Sequence, residues 1–254
     1  MNKKIFYLHI PKTGGTSLNN DISKLCPGIR KFTHVEGIIR DPNNNHSLDT
    51  YRFISGHLFL NEALSFFPPD KWLYICLIRD PIQQLESHIN WVLKITEDQS
   101  SDFFRNHGPI FQNMSFEIRG MDLEEPEGIR KLVTKILDND LYRNLFDNCQ
   151  TRYLTRRSKA PVTYNDLYSA IDSIHKHFKL IGPIELYQDY LKELSHLLHV
   201  PLSGHSSRQN INQQKINLFD TEEKMGLIKP FLQYDQQLYN MILLKIQELF
   251  KRHP

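Results

Sequence analysis

Apolar positions along the chain fall into short uninterrupted runs separated by stretches of helical period. Ile5-Phe6-Tyr7-Leu8-His9-Ile10 is aromatic and β-branched and stops at Pro11, which reads as a buried strand. The clearest run is Trp72-Leu73-Tyr74-Ile75-Cys76-Leu77-Ile78, apolar on both faces and therefore expected at the centre of a parallel sheet. Arg79-Asp80 ends it, and Pro81 suits the first position of a helix reaching about residue 95. Residues 178–184 read as another buried strand and residues 52–55 as a shorter one. Helical periodicity covers about 17–25, 127–154, 164–177 and the stretch through 198. A polar loop over 201–217 precedes two closing helices. Residues 97–126 are polar and broken by Gly108, Pro109, Gly120 and Pro126, which predicts an irregular insertion. Strands alternating with helices predict one α/β domain over residues 1–254, a central parallel sheet flanked by helices.

Composition adds boundaries to this picture. Hydrophobic residues make up 40% and charged residues 24% of the 254, enough for a core without metal or disulfide support. The formal net charge of +2 is too small to argue for nucleic acid, but suits an anionic ligand in a local basic pocket. Cys26, Cys76 and Cys149 have neither metal-ligand spacing nor a disulfide framework, which favours a reducing compartment. No run approaches the length of a membrane-spanning helix, and Met1 leads directly into the first strand with no signal peptide. A cytoplasmic location is expected. Twelve histidines are scattered without a His-Glu-x-x-His pattern, so no metal site is expected.

The chemistry begins between the first strand and first helix, at Pro11-Lys12-Thr13-Gly14-Gly15-Thr16-Ser17. Glycines let a backbone approach a ligand, and helix N-terminal amides and the macrodipole favour an anion. Lys12 adds a full charge and the Thr16 and Ser17 hydroxyls add donors. In a Walker A loop the lysine follows the last glycine; here Thr16 follows Gly15 and the lysine precedes both glycines. At the end of the second strong strand, Arg79 can fork donors onto phosphate oxygens, and Ser87 lies a little over two helical turns further on. Read alone, Arg79 is also an ion-pair partner of Asp80 or a cap on the sheet edge, and Ser87 an ordinary helix serine.

His9-Ile10-Pro11-Lys12-Thr13-Gly14-Gly15-Thr16-Ser17-Leu18 resembles the 5′-phosphosulfate loop of the sulfotransferases that use 3′-phosphoadenosine-5′-phosphosulfate (PAPS). The likeness is to the branch of heparan sulfate 2-O-sulfotransferase and its bacterial relatives. Ile78-Arg79-Asp80-Pro81 followed by Ser87 resembles the 3′-phosphate motif of the same family, in the right order. The fold this implies is P-loop NTPase-like. By that resemblance Lys12 contacts the bridging oxygen of the donor, Thr13, Gly14, Gly15, Thr16 and Ser17 hold the 5′-phosphate, and Arg79 and Ser87 hold the 3′-phosphate. Segments 148–154, 180–185 and 235–239 are similar to stretches of bacterial members, and a loop at 203–214 with Arg208 is expected over the nucleotide.

A transfer to an alcohol also needs a general base. His57, in Ser55-Gly56-His57-Leu58, resembles the Gly-His base of the 2-O-sulfotransferase branch, whereas a lone histidine at a strand end is commonly structural. Glu36 stands in reserve, since other sulfotransferases place a glutamate base at such a distance from the loop lysine. Arg152, Arg156, Arg157 and Lys159 read as a solvated helix end or an acidic-glycan contact. The resemblance implies sulfuryl transfer from PAPS to a hydroxyl of a saccharide or glycolipid, with adenosine 3′,5′-bisphosphate (PAP) as product and no metal. Two other readings remain: a P-loop nucleotide kinase using Asp80 for magnesium, and a non-catalytic nucleotide-binding module. Oligomeric state is not legible.

Overall fold

The chain builds five parallel strands: β1 (Lys4–Leu8), β2 (Lys31–Phe32), β3 (Phe53–Gly56), β4 (Trp72–Ile78) and β5 (Phe178–Pro183). They lie in the order β2-β3-β1-β4-β5, flanked by helices in a single α/β domain. The computed structural model describes residues 4–41, 43, 46–156, 160–200 and 218–251. All seven residues of β4 are buried, as an apolar run with no polar face requires.

Alternation along the central strands sends their side chains into two separate core clusters, one on each face of the sheet. Phe6, Leu8, Tyr74 and Cys76 join one cluster with the helices Tyr164–His177 and Gln233–Lys251. Ile5, Tyr7, Ile75 and Leu77 join the other with the helices Gly15–Leu25 and Tyr187–Leu198. The three cysteines are free, and Cys76 and Cys149 are buried.

The strand order sets where chemistry can happen. From β1 the chain runs to the edge strand β2, returns to β3 beside β1, then crosses to β4 on the other side. Such a reversal opens a crevice at the carboxyl ends of the strands. Leu8 of β1 is in register with Gly56 of β3 and Cys76 of β4. His9, His57 and Arg79, each the first residue past its strand, therefore emerge at the same sheet edge.

Two expectations are corrected. Residues 97–126 are not irregular: they contain the helices Asp102–Arg105 and Pro109–Arg119. The residues taken as breakers are helix boundaries, with Gly108 at the N-cap, Pro109 at the first turn and Gly120 at the C-cap. Met114 and Ile118, one turn apart, are buried in a cluster with Leu85, Ile89 and Val92. The periodicity over 127–154 is also not one helix but three, Pro126–Asp138, Asp140–Phe146 and Cys149–Tyr153. The Asn139 side chain caps the second by accepting from Leu141 N at 2.9 Å, and Asn148 turns the chain at φ 43° before the third.

No helix among the described residues is long and apolar enough to cross a membrane.

Candidate functional site

A cleft of about 710 Å³ opens at the carboxyl edge of the sheet. It is lined by Lys12, Gly14, Gly15, Thr16 and Ser17 from the loop after β1, by Glu36 and His57, and by Arg79 and Ser87. A second groove of about 550 Å³ runs beside β5, is walled chiefly by Ile, Leu and Phe side chains, and holds none of these residues.

The loop after β1 is shaped for close approach. Gly14 adopts φ 93°, a left-handed conformation that costs glycine nothing, and a Cβ there would lie 2.2 Å from Ile184 Cδ1. A Cβ on Gly15 would lie 1.8 Å from His9 Nε2. The helix Gly15–Leu25 then begins at Gly14, which has no side chain with which to cap it. Gly15, Thr16 and Ser17 of its first turn line the cleft, and a helix N-terminus favours an anion there. Lys12 itself is held at φ 66°, a strained setting for a residue with a Cβ. Burial pushes its ammonium down to about 8, with the Arg79 and Lys94 charges acting in the same direction. Thr13 is the exception among the expected ligands. It is fully buried, and its hydroxyl donates to the Ile10 carbonyl at 2.9 Å, so its side chain braces the loop.

Arg79 joins this loop to β4. Its Nη1 donates to the Lys12 carbonyl at 3.2 Å. Its backbone is gripped from both sides by the Gln150 amide, which accepts from Arg79 N at 2.9 Å and donates to Arg79 O at 2.8 Å. Gln150 is placed in turn by Asp235, whose carboxylate accepts from the N–H groups of Gln150 and Thr151 at 2.9 and 2.7 Å. Gln84 adds a donor to Pro11 O at 3.0 Å. Asp80 accepts from Gln83 N at 3.0 Å as the N-cap of the helix Pro81–Ile95.

On the other side of Lys12, the ring of His57 packs on His9 with centroids 4.2 Å apart. His57 Nδ1 donates to the His9 carbonyl at 2.7 Å. A carbonyl can only accept, so this bond fixes the tautomer and leaves Nε2 with its lone pair. Burial holds the imidazole below its ordinary pKa, the Glu36 carboxylate opposing. Glu36 is fully engaged: Oε2 accepts from His57 N at 2.8 Å and Oε1 from His34 Nδ1 at 3.2 Å. Burial pushes the Glu36 carboxyl up, but the His34 hydrogen bond and the His57 charge outweigh it and hold the group at about 2.

Most of the expected site residues thus meet in one cleft. Arg208, like Arg157 and Lys159, lies outside the described residues. Arg152 is not available as a glycan contact: it is buried and paired with Asp147 at 2.6 Å. Gln150, Gln84, Asp235 and His34 were not legible as site residues. Amides and acids of this kind act through backbone groups, and only their position in space reveals it. Residues 97–126 contribute as well, since His107 and Phe111 form the cleft wall with Trp91, the rings 5.2 and 5.7 Å from the indole.

Comparison with solved structures finds similarity to the crystal structure of mouse sulfotransferase SULT7A1 complexed with PAP. The two are 14% identical with a TM-score of 0.44, over 99% of this chain and 84% of that chain. No family model matches the sequence, and no curated protein matches it.

Proposed function

We propose that this chain is a sulfotransferase that moves a sulfuryl group from PAPS to a hydroxyl of a carbohydrate or glycolipid. The observation that carries the reading is the meeting of two anion-binding motifs and a tautomer-fixed histidine in one cleft. The loop at residues 12–17 and the Arg79–Ser87 pair, both similar to family motifs, line the same cavity as His57.

The residues fit such a donor. The N-terminus of Gly15–Leu25, with Lys12 beside it, suits the 5′-phosphosulfate, and Arg79 with Ser87 suits the 3′-phosphate. The donor supplies the sulfuryl group, and this chain supplies position and charge. Lys12 offsets the negative charge that develops on the departing phosphate oxygen. His57 Nε2 accepts the proton of the acceptor hydroxyl as that oxygen bonds to sulfur. Glu36 orients the His57 backbone rather than taking the proton itself, because a carboxyl held at about 2 is too weak a base. The aromatic wall of Trp91, His107 and Phe111 offers a face on which a sugar ring can lie.

The nucleotide-kinase reading fares worse on one specific point. Asp80, the acid it requires for magnesium, is committed to capping the helix Pro81–Ile95. Calorimetric titration with PAP in the absence of magnesium tests the proposal. Binding that weakens sharply in Arg79→Ala supports it. No binding of PAP, together with magnesium-dependent binding of ATP, overturns it.

A further inference from the structure

His34, Glu36 and His57 each bring one potential ligand atom to within 4.8 Å of the others. His34 stands at φ 59°, in the left-handed region, and its Nδ1 meets Glu36 Oε1 at 3.2 Å. Two ligand atoms on a tetrahedral ion with bonds of about 2.0–2.1 Å lie about 3.3 Å apart. The nitrogen that remains on His57 is Nε2, since Nδ1 is bonded to His9 O.

The surroundings have the form that supports a metal. Metal-binding histidines donate their second nitrogen to a carbonyl or carboxylate, and ligating carboxylates are themselves hydrogen-bonded. His57 does the first at 2.7 Å, and Glu36 Oε2 does the second by accepting from His57 N at 2.8 Å. Arg40, which donates to the His57 carbonyl, is paired with Glu62 at 2.9 Å, so its charge is offset.

From this geometry we infer that His34 Nδ1, Glu36 Oε1 and His57 Nε2 bind one divalent ion of the zinc class. Two imidazoles and a carboxylate suit zinc or cobalt rather than magnesium, and leave a fourth position toward the cleft. An ion there occupies the lone pair that would otherwise take the acceptor proton, so it switches transfer off. The site stands on geometry alone; the switching rests on His57 being the base.

The test uses the full chain, stripped with EDTA and titrated with Co²⁺ without nucleotide while visible absorption is followed. One equivalent binds with a tetrahedral-type band that Zn²⁺ displaces. In His34→Asn and Glu36→Gln the affinity falls at least about tenfold. His34 lies at the surface, and glutamine still accepts from His57 N, so both variants retain the fold. Absence of Co²⁺ binding, or binding unchanged in both variants, overturns the site. In a transfer assay Zn²⁺ inhibits the wild type and inhibits His34→Asn less; transfer untouched by a bound ion overturns the switch. Co²⁺ binding in a protein that never transfers sulfate sinks the base assignment and leaves the site. Transfer indifferent to Zn²⁺, with no Co²⁺ signal, does the reverse.

Discussion

Arg79 Nη1 donates to the carbonyl oxygen of Lys12 at 3.2 Å, tying the end of β4 to the turn that precedes Gly14 and Gly15. One side chain therefore offers charge to the cleft and holds the backbone of the residue that carries the other charge. Arg79→Ala is expected to weaken PAP binding at least about tenfold, near 1.5–3 kcal/mol for a lost charged hydrogen bond. Arg79→Lys is expected to recover little, because an ammonium lacks the planar fork. Calorimetry on the three proteins without magnesium checks both.

The Gln150 amide is a support with no ligand of its own. Replacing it by leucine removes the Gln150 partner of the N–H and of the C=O of Arg79, a cost of about 1–3 kcal/mol per group left unsatisfied. Gln150→Leu is expected to lower thermal stability and weaken PAP binding together. Weakened binding at unchanged stability would mean that Gln150 contacts the ligand instead.

His57 and Glu36 separate by kinetics. On the proposed mechanism His57→Ala removes the proton acceptor, and it is expected to lower kcat by about 10²–10⁴-fold with PAP affinity retained. Glu36→Gln keeps an acceptor for His57 N and is expected to cost far less. If Glu36→Gln proves the more damaging, the roles assigned to the two are reversed.

The Lys12 ammonium, lowered to about 8 by burial and by its cationic neighbours, predicts a pH dependence with a definite sign. Anions bind the protonated form, so with Lys12 in its proposed role PAP affinity is expected to be level below that value and to fall as pH rises through it. Phosphate groups, with a second pKa near about 6, carry full charge across this window and do not mask the effect. Lys12→Arg stays protonated and moves the fall beyond the range. Titrations from neutral pH upward show whether it does.

Gly15→Ala places a Cβ 1.8 Å from His9 Nε2. The His9 ring must shift, and with it the stacking on His57. A destabilisation of about 1–3 kcal/mol is expected from overpacking, with a loss of transfer larger than the loss of stability explains. Denaturant unfolding beside kinetics separates the two.

What the sequence determined by itself was local. Runs such as Trp72–Ile78 are apolar on both faces and have only a sheet interior to occupy, and Pro81 can only open a helix there. The helix Tyr164–His177 and the glycine loop follow from the same short-range rules. Even the misread stretch at 97–126 carried correct signals: Gly108, Pro109 and Pro126 were boundaries, and the burial of Met114 and Ile118 decided that helices lie between them. Only the tertiary structure brought Glu36 to the His57 amide, Gln150 to Arg79 and Asp235 to Gln150. These contacts span 21, 71 and 85 positions and run through backbone N–H and C=O groups that every residue possesses. Side-chain identity along the chain encodes which face is buried; which backbone group a polar side chain satisfies is settled when strands align in register and their ends meet.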